Sequence, residues 1–296
     1  MIRSALRSVP GARPLVRGLH SGWRRTRREW GNVCPFKLPR YIPNTPRLGG
    51  SEPLDPFLPP GAETVGAAAM SPEAIAYVLD FIQKLTPSQE LTEQLSYYLW
   101  SRERFGASWR HADLTTALWA AATLIKPNSY LEIGLRRGRS AALVGSLRPE
   151  CAIYGFDLWI PDYAGVDNPG PEFVREELRR AGHTGEVVLV SGDSHQTVPA
   201  LLREHPDLYF DLITVDGDHS VLGAAIDIAN TLPRLKVGGI LAFDDIARAP
   251  ALQRVWRELV QRDERFVTWE FTDSGFGVAA AIRVLDTPAA DGAQVG

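Results

Sequence analysis

From residue 129 onward, short apolar runs alternate with stretches of helical periodicity. The runs Tyr130–Ile133, Ile153–Phe156, Val187–Val190, Leu212–Val215 and Ile240–Phe243 are too short for helices and end at glycine, serine or acid. They read as buried strands. Between them, apolar residues recur at helical spacing near 139–147, 171–181, 195–203 and 220–232, and again over 250–262. Strand, helix and strand in succession predict a parallel sheet covered on both faces. Two later runs, near 266–271 and 276–284, lie on either side of "TDSGFG" and predict an antiparallel hairpin at a sheet edge.

Upstream the texture differs. Ser71-Pro72-Glu73 is a helix start, with a cap, a proline in the first turn and an early acid. Ile75, Val78, Leu79 and Ile82 follow at helical spacing, and two more helices are predicted from Ser88 to about Arg104 and from about Ala112 to Ile125. Residues 35–60 carry eight prolines, the composition of an extended linker or wrapping arm. The expected organisation is a basic, proline-rich arm over 1–66, a helical cover over 67–127, a strand–helix domain over 128–286 and a disordered tail over 287–296.

Composition narrows the function class. The chain has 296 residues, is 45% hydrophobic and carries a net charge of −3, so nothing global points to nucleic acid or to an anionic membrane. Two cysteines, Cys34 and Cys151, form neither a disulfide framework nor a thiolate metal pattern. No apolar run has the length of a membrane span. The first 28 residues contain eight arginines and no acid, the composition of a transit peptide. The arginine bias is chain-wide, however, with only four lysines, and Pro10 and Pro14 interrupt any helix there. The expectation is therefore a cytoplasmic protein, with mitochondrial targeting as the alternative. A homo-oligomer stays open, since the arm could wrap a neighbour or its own domain.

The ends of the strands carry the chemistry. The first strand leads into "YLEIGLRRGRSAAL", where Glu132, Gly134, Gly138 and Ser140 surround a turn and a helix start. In an open parallel sheet, ligands bind beyond the carboxyl ends of the strands. Glycines let backbone approach a ligand and the helix offers free N–H groups. The spacing is not the G-x-G-x-x-G of a dinucleotide site, and a carboxylate at 132 suits a ligand with a positive centre. The second strand ends at Asp157, 19 residues past Gly138, the usual interval for an acid that meets ribose hydroxyls. The third ends at Asp193 and Ser194. Asp157 and Asp193 are also candidates for helix caps.

Taken in order, "YLEIGLRRGRSAAL", "GFDLW", "SGDS", "FDLITVDGDHS" and "VGGILAFDDI" resemble the class I S-adenosylmethionine-dependent methyltransferases over residues 129–284. Within them, "DGDHS" and "GGILAFDDI" are similar to the macrocin-type sugar O-methyltransferases, with cephalosporin-hydroxylase-like proteins as relatives. The resemblance implies a Rossmann-like seven-stranded, mostly parallel sheet with its last strand antiparallel. It implies that Glu132, Gly134, Gly138 and Ser140 line the methionine and sugar part of S-adenosylmethionine, that Asp157 binds the ribose diol, and that Asp193 and Ser194 lie near the adenine.

Asp216 ends the fourth strand and Asp244-Asp245 the fifth. Three carboxylates without an evident Lys or Arg partner call for a neutralising group, and a hard divalent cation such as Mg²⁺ supplies it. In the resembling enzymes the matching acids hold such a metal. His219, three residues after Asp216, stands where catechol-type enzymes place a proton-accepting lysine, and an imidazole can do the same work. The expected reaction is O-methylation of a hydroxylated small molecule. Asp216 and the metal activate the hydroxyl, and His219 takes its proton. Two alternatives are a metal-independent methyltransferase and a cofactor-binding partner of an oxidising system without transferase activity. Asp218 reads as a cap for the next helix, and His219 as base or cap in equal measure. Trp159, Asp162 and Tyr163 belong to a loop that could cover the cofactor or simply pack. Arg136 and Arg137 could meet the cofactor carboxylate or solvent. His111, His183, His195 and His205 share no ligand spacing and read as structural or surface residues.

Overall fold

The computed structural model describes residues 45–48, 60–162, 167–273 and 275–286, all within the compact unit that begins at Leu38. The expected arginine-rich leader, Tyr163, most of the proline-rich arm and the tail after 286 lie outside the described residues.

Seven strands form one sheet: β1 (Ser129–Ile133), β2 (Ala152–Asp157), β3 (Val187–Ser191), β4 (Phe210–Val215), β5 (Leu235–Asp244), β6 (Phe266–Phe271) and β7 (Val278–Arg283). Their order is β3-β2-β1-β4-β5-β7-β6. The pairs from β3 to β5 are parallel, and β7 runs antiparallel between β5 and β6. This is the Rossmann-like, seven-stranded α/β arrangement that the motifs implied. β4 is buried at every position, as expected of a strand covered on both faces. The hairpin strand at the edge is β6, and the last strand is interior.

Among the described residues nine α-helices pack around the sheet: α1 (Ala62–Ala69), α2 (Pro72–Ile82), α3 (Gln89–Phe105), α4 (Leu114–Ile125), α5 (Arg139–Leu147), α6 (Pro171–Arg180), α7 (Ser194–Glu204), α8 (Val221–Thr231) and α9 (Pro250–Trp256). α9 continues as a π-helical turn over Arg257–Gln261. Helices α1, α2, α4, α5 and α6 contact one another, and α7, α8 and α9 form a second group. The upstream helices start as their caps dictate. Ser71 accepts from Ala74 N with Pro72 in the first turn, Ser88 accepts from Leu91 N, and Asp113 forms a capping box with Thr116.

The boundary expected at 66/67 falls inside α1, which begins at Ala62. Gly66 lets α1 lie against the Trp269 indole on β6; a Cβ there would come within 2.4 Å of its Nε1. α4 packs on β4, β5 and β7, so the helical cover is part of the layer on the sheet. Within the arm, Pro46 O accepts from Val237 N at 2.9 Å and Leu48 N donates to Val237 O at 2.8 Å. Buried Arg283 donates to Leu235 O and to Thr45 Oγ1, which ties this segment to the start of β5. Among the described residues no single helix is long and apolar enough to cross a membrane.

Candidate functional site

The parallel strands β1, β2, β3 and β4 deliver their carboxyl ends to one crevice, and a cavity of about 240 Å³ lies there. Gly134, Asp157, Asp193, Ser194, Asp216 and His219 all line it. The chain turns sharply to reach it. Arg136, Trp159 and Asp245, at the ends of β1, β2 and β5, adopt left-handed φ of 50°, 53° and 63°. Such conformations are uncommon in non-glycine residues, and here they turn the chain sharply beyond three strand ends.

Gly134 has φ of +91°, and a Cβ on it would stand 2.0 Å from the carbonyl oxygen of Asp216. Only glycine permits β1 and β4 to end side by side here. Gly138 caps α5 at φ +71°, and a Cβ there would meet Val174 of α6 at 2.7 Å, so glycine at this turn also serves helix packing. Glu132 lies below the cavity surface. It is wholly buried under the turn, its carboxylate bonded by Ser140 Oγ and by the Tyr130 hydroxyl at 3.1 Å. Burial raises its pKa to about 8; the Ser140 bond opposes this and the Asp216 charge adds to it. Ser140 lines a smaller adjoining cavity with Gly134, Arg139 and Asp216.

Asp157 sits at the end of β2 with both oxygens engaged. Oδ2 accepts from Arg136 N at 2.7 Å, and Oδ1 accepts from Trp159 N at 2.6 Å and from Asn168 Nδ2 at 3.3 Å. It braces the two loops of the cavity rim rather than capping a helix. Trp159 turns away onto Ser191 Oγ, leaving Leu158 and Ile160 to line the cavity. Asp193 is the N-cap of α7, accepting from His195 N at 3.0 Å, and it lines the cavity as well. Ser194 Oγ donates to buried Asp227 at 2.7 Å. Arg137 stacks over Phe173 at 4.4 Å and pairs with Asp167, while Arg136 and Arg139 reach toward Glu90 of α3.

At the other end stand the acids. His219 Nε2 lies 3.2 Å from Asp216 Oδ1 and 3.3 Å from Asp245 Oδ2. Burial alone would lower its pKa, but the Asp216 hydrogen bond and the charges of Asp216 and Asp245 raise it on balance. The expectation that the acids lack a basic partner is corrected: Arg248 Nη1 donates to Asp245 Oδ2 at 2.9 Å and lies 3.4 Å from His219 Nδ1. The signal was present in "DDIARAP", an arginine three residues beyond Asp245. Asp244 has its pKa raised well above the carboxylate range by burial and by the charges of Asp216 and Asp245. The cap of α8 is Ser220, which accepts from Gly223 N; Asp218 accepts from Ser220 N and does not cap, and neither does His219.

Three hard oxygen donors that oppose one another's ionisation have the chemistry of a divalent-cation site. The described residues nonetheless hold no ready-made group of three or more His, Cys, Asp or Glu ligands, and Arg248 and His219 both engage Asp245. A cation would compete with Arg248. Sequence reasoning missed Arg248, Asp227 and the cavity-lining position of His195; Asp227 was visible as a lone acid in the apolar stretch "VLGAAIDIAN". His183 is structural, bonded through Nε2 to Cys151 O at 2.7 Å, and His111 is buried against Trp109.

Residues 131–246, from β1 through the end of β5, match the family model described as a methyltransferase domain. No curated protein sequence matches the chain. Among solved structures, the calicheamicin methyltransferase CalS11 shares 23% identity over 79% of this chain and 98% of its own, with a TM-score of 0.46. The Podospora anserina methyltransferase PaMTH1, solved with SAH bound, shares 20% identity over 80% and 99%, with a TM-score of 0.46. The O-methyltransferase TomG from Streptomyces achromogenes, solved with SAM, shares 17% identity over 68% and 92%, with a TM-score of 0.48.

Proposed function

We propose that this chain, a class I methyltransferase in its fold and in its matched domain, uses S-adenosylmethionine to methylate a hydroxyl of a small molecule. One observation carries the reading: a single cavity runs from Asp157 at the end of β2 to Asp216 and His219 at the end of β4. The first end suits a ribose hydroxyl, because Asp157 Oδ2 is fixed by a single backbone donor and keeps a lone pair for a hydroxyl. Asp193 and Ser194 border the base end, with Leu158 and Ile160 as apolar walls.

At the second end an acceptor hydroxyl meets His219. Asp216 and Asp245 orient the imidazole and favour its protonated form, which makes neutral His219 a stronger base. The imidazole accepts the hydroxyl proton as the oxygen attacks the sulfonium methyl, and the methyl-bearing sulfur leaves as the thioether. Holding both reactants in line supplies much of the rate. Since His219 must be neutral to accept, the rate rises with pH through a pKa above the ordinary histidine value. Asp216, Asp244 and Asp245 are the residues that would hold Mg²⁺, whose chemistry there is to acidify the acceptor hydroxyl.

The test is calorimetric titration of the protein with S-adenosylmethionine, with Mg²⁺ or with chelator, followed by methyl transfer to hydroxylated sugars, catechols and polyketides. Saturable cofactor binding in both conditions is expected, with transfer to one acceptor class. Absence of cofactor binding in both overturns the proposal. Undiminished transfer in chelator removes the metal and leaves His219 and Arg248 as the local positive charge.

A further inference from the structure

Asp227 lies on α8 and is completely buried. Its Oδ1 accepts from Ser194 Oγ at 2.7 Å, and His195 Nε2 stands 3.6 Å from the same oxygen. Its Oδ2 lies on the Gly217 side, where a Cβ on Gly217 would stand 3.1 Å away. His195 Nε2 is buried without a hydrogen-bond partner, and the backbone N–H of Asp218, in the loop after β4, also acts on the Asp227 carboxylate. Burial raises the Asp227 pKa to about 6, against the pull of Ser194 and His195. A carboxylate held in so unfavourable a place calls for a reason beyond packing.

The reason lies in what its neighbours do. Ser194 and His195 begin α7 and form one wall of the cavity. Gly217 belongs to the opposite wall, next to Asp216 and two residues before His219. α8 itself starts at Val221, immediately after the Ser220 cap. One side chain therefore touches the loop after β3 and the loop after β4, and no strand pairing joins these two loops, since β2 and β1 lie between β3 and β4.

We propose that Asp227 is a positioning residue that fixes the wall at Ser194 and His195 relative to the loop carrying Asp216 and His219, and so sets the affinity for the cofactor. Ser194 is the part of the wall it holds directly, and Gly217 is the point where the other loop must come close. A side chain at 217 would collide with Ile133 Cγ2 at 2.6 Å as well as approach Asp227. The inference rests on the S-adenosylmethionine reading above.

Calorimetric titration of S-adenosylmethionine into the parent, Asp227→Asn, Ser194→Ala and the double variant tests it, with thermal unfolding alongside. Ser194→Ala removes the hydrogen bond and is expected to weaken cofactor binding about tenfold, whereas Asp227→Asn keeps an acceptor without its charge and is expected to weaken binding less. The double variant should be no weaker than Ser194→Ala alone, because the charge at 227 acts on the wall through that one bond. In turnover assays the cofactor KM should rise while the acceptor KM stays within about twofold, a split that a merely structural role would not produce. Cofactor affinity unchanged in folded Asp227→Asn and Ser194→Ala overturns the inference, as does a fully additive double variant. If Asp227→Asn fails to fold, Ser194→Ala, which leaves the core intact, decides alone. A parent that binds no cofactor overturns the underlying functional reading instead, so the two failures are distinct.

Discussion

The two ends of the cavity are built on opposite principles. At Asp157 every contact satisfies the carboxylate: two backbone N–H groups and an amide hold it, and no charged partner is needed. At the other end burial and neighbouring carboxylates hold Asp244 and Asp245 above the ordinary range, and Asp245 is met by two side chains that can move or titrate, His219 and Arg248. A fixed ring of backbone donors suits recognition of a group whose charge never changes. A cluster balanced by an imidazole and a guanidinium suits a step in which a proton changes hands. The fold puts both on one crevice because β1 lies between the strand that carries the first and the strands that carry the second.

If the two ends are separate in function, substitutions should divide between them. The largest effect is expected at the acid end. His219→Ala should lower kcat by about 10²- to 10³-fold, the usual contribution of a general base, and leave the cofactor dissociation constant within about twofold. Turnover and calorimetry on the same preparation measure both. A cofactor affinity that falls in step with kcat would erase the division. The reverse pattern is expected at the other end, and smaller. Asp157→Asn keeps the shape but loses the charge that strengthens its bonds, so cofactor affinity should fall about 10- to 100-fold while kcat at saturating cofactor is retained.

The division also explains what could be read from the chain. β1, β2, β4 and β5 were legible because each is a short apolar run ending in glycine or acid, and their order followed from the resemblance. The acids themselves were legible because strand ends are few and Asp157, Asp193, Asp216, Asp244 and Asp245 all stand at one. What their side chains meet was not. Arg248 reaches Asp245 across one turn, through a backbone at φ 63° that aspartate tolerates but no sequence pattern announces. Gly138 shows the same limit from the other side. Its place in the motif suggested ligand approach, and nothing nearby in sequence showed that it also makes room for Val174, 36 positions along the chain. The helix at Ala62 was missed because its sequence, "AETVGAAA", has a glycine and no side-chain cap, and packing on Trp269 stabilises it instead.

Glu132 connects the two ends and gives the smallest and most diagnostic effect. It sits under Gly134 with its pKa at about 8, so in the free protein at pH 7 it is protonated in a ratio of roughly ten to one. A sulfonium and an ammonium arriving in the cavity favour its ionised form, so cofactor binding should release close to one proton at pH 7. The sign follows from the raised pKa. Below about pH 8 the ligand must first drive the proton off, so affinity climbs as pH rises toward 8 and levels above it, by at most about tenfold from pH 7 to 9. The same proton affects the ligand-free fold: its stabilisation is complete below the ordinary glutamate range and is lost as pH rises through about 8. Glu132→Gln should abolish the proton release, seen as heats that no longer depend on the buffer's ionisation enthalpy, and flatten the affinity between pH 7 and 9. Proton release that persisted in Glu132→Gln would assign the titration to the acid cluster instead. The coupling would then run through Asp216 and its neighbours, and the two ends of the cavity would not be electrostatically separate.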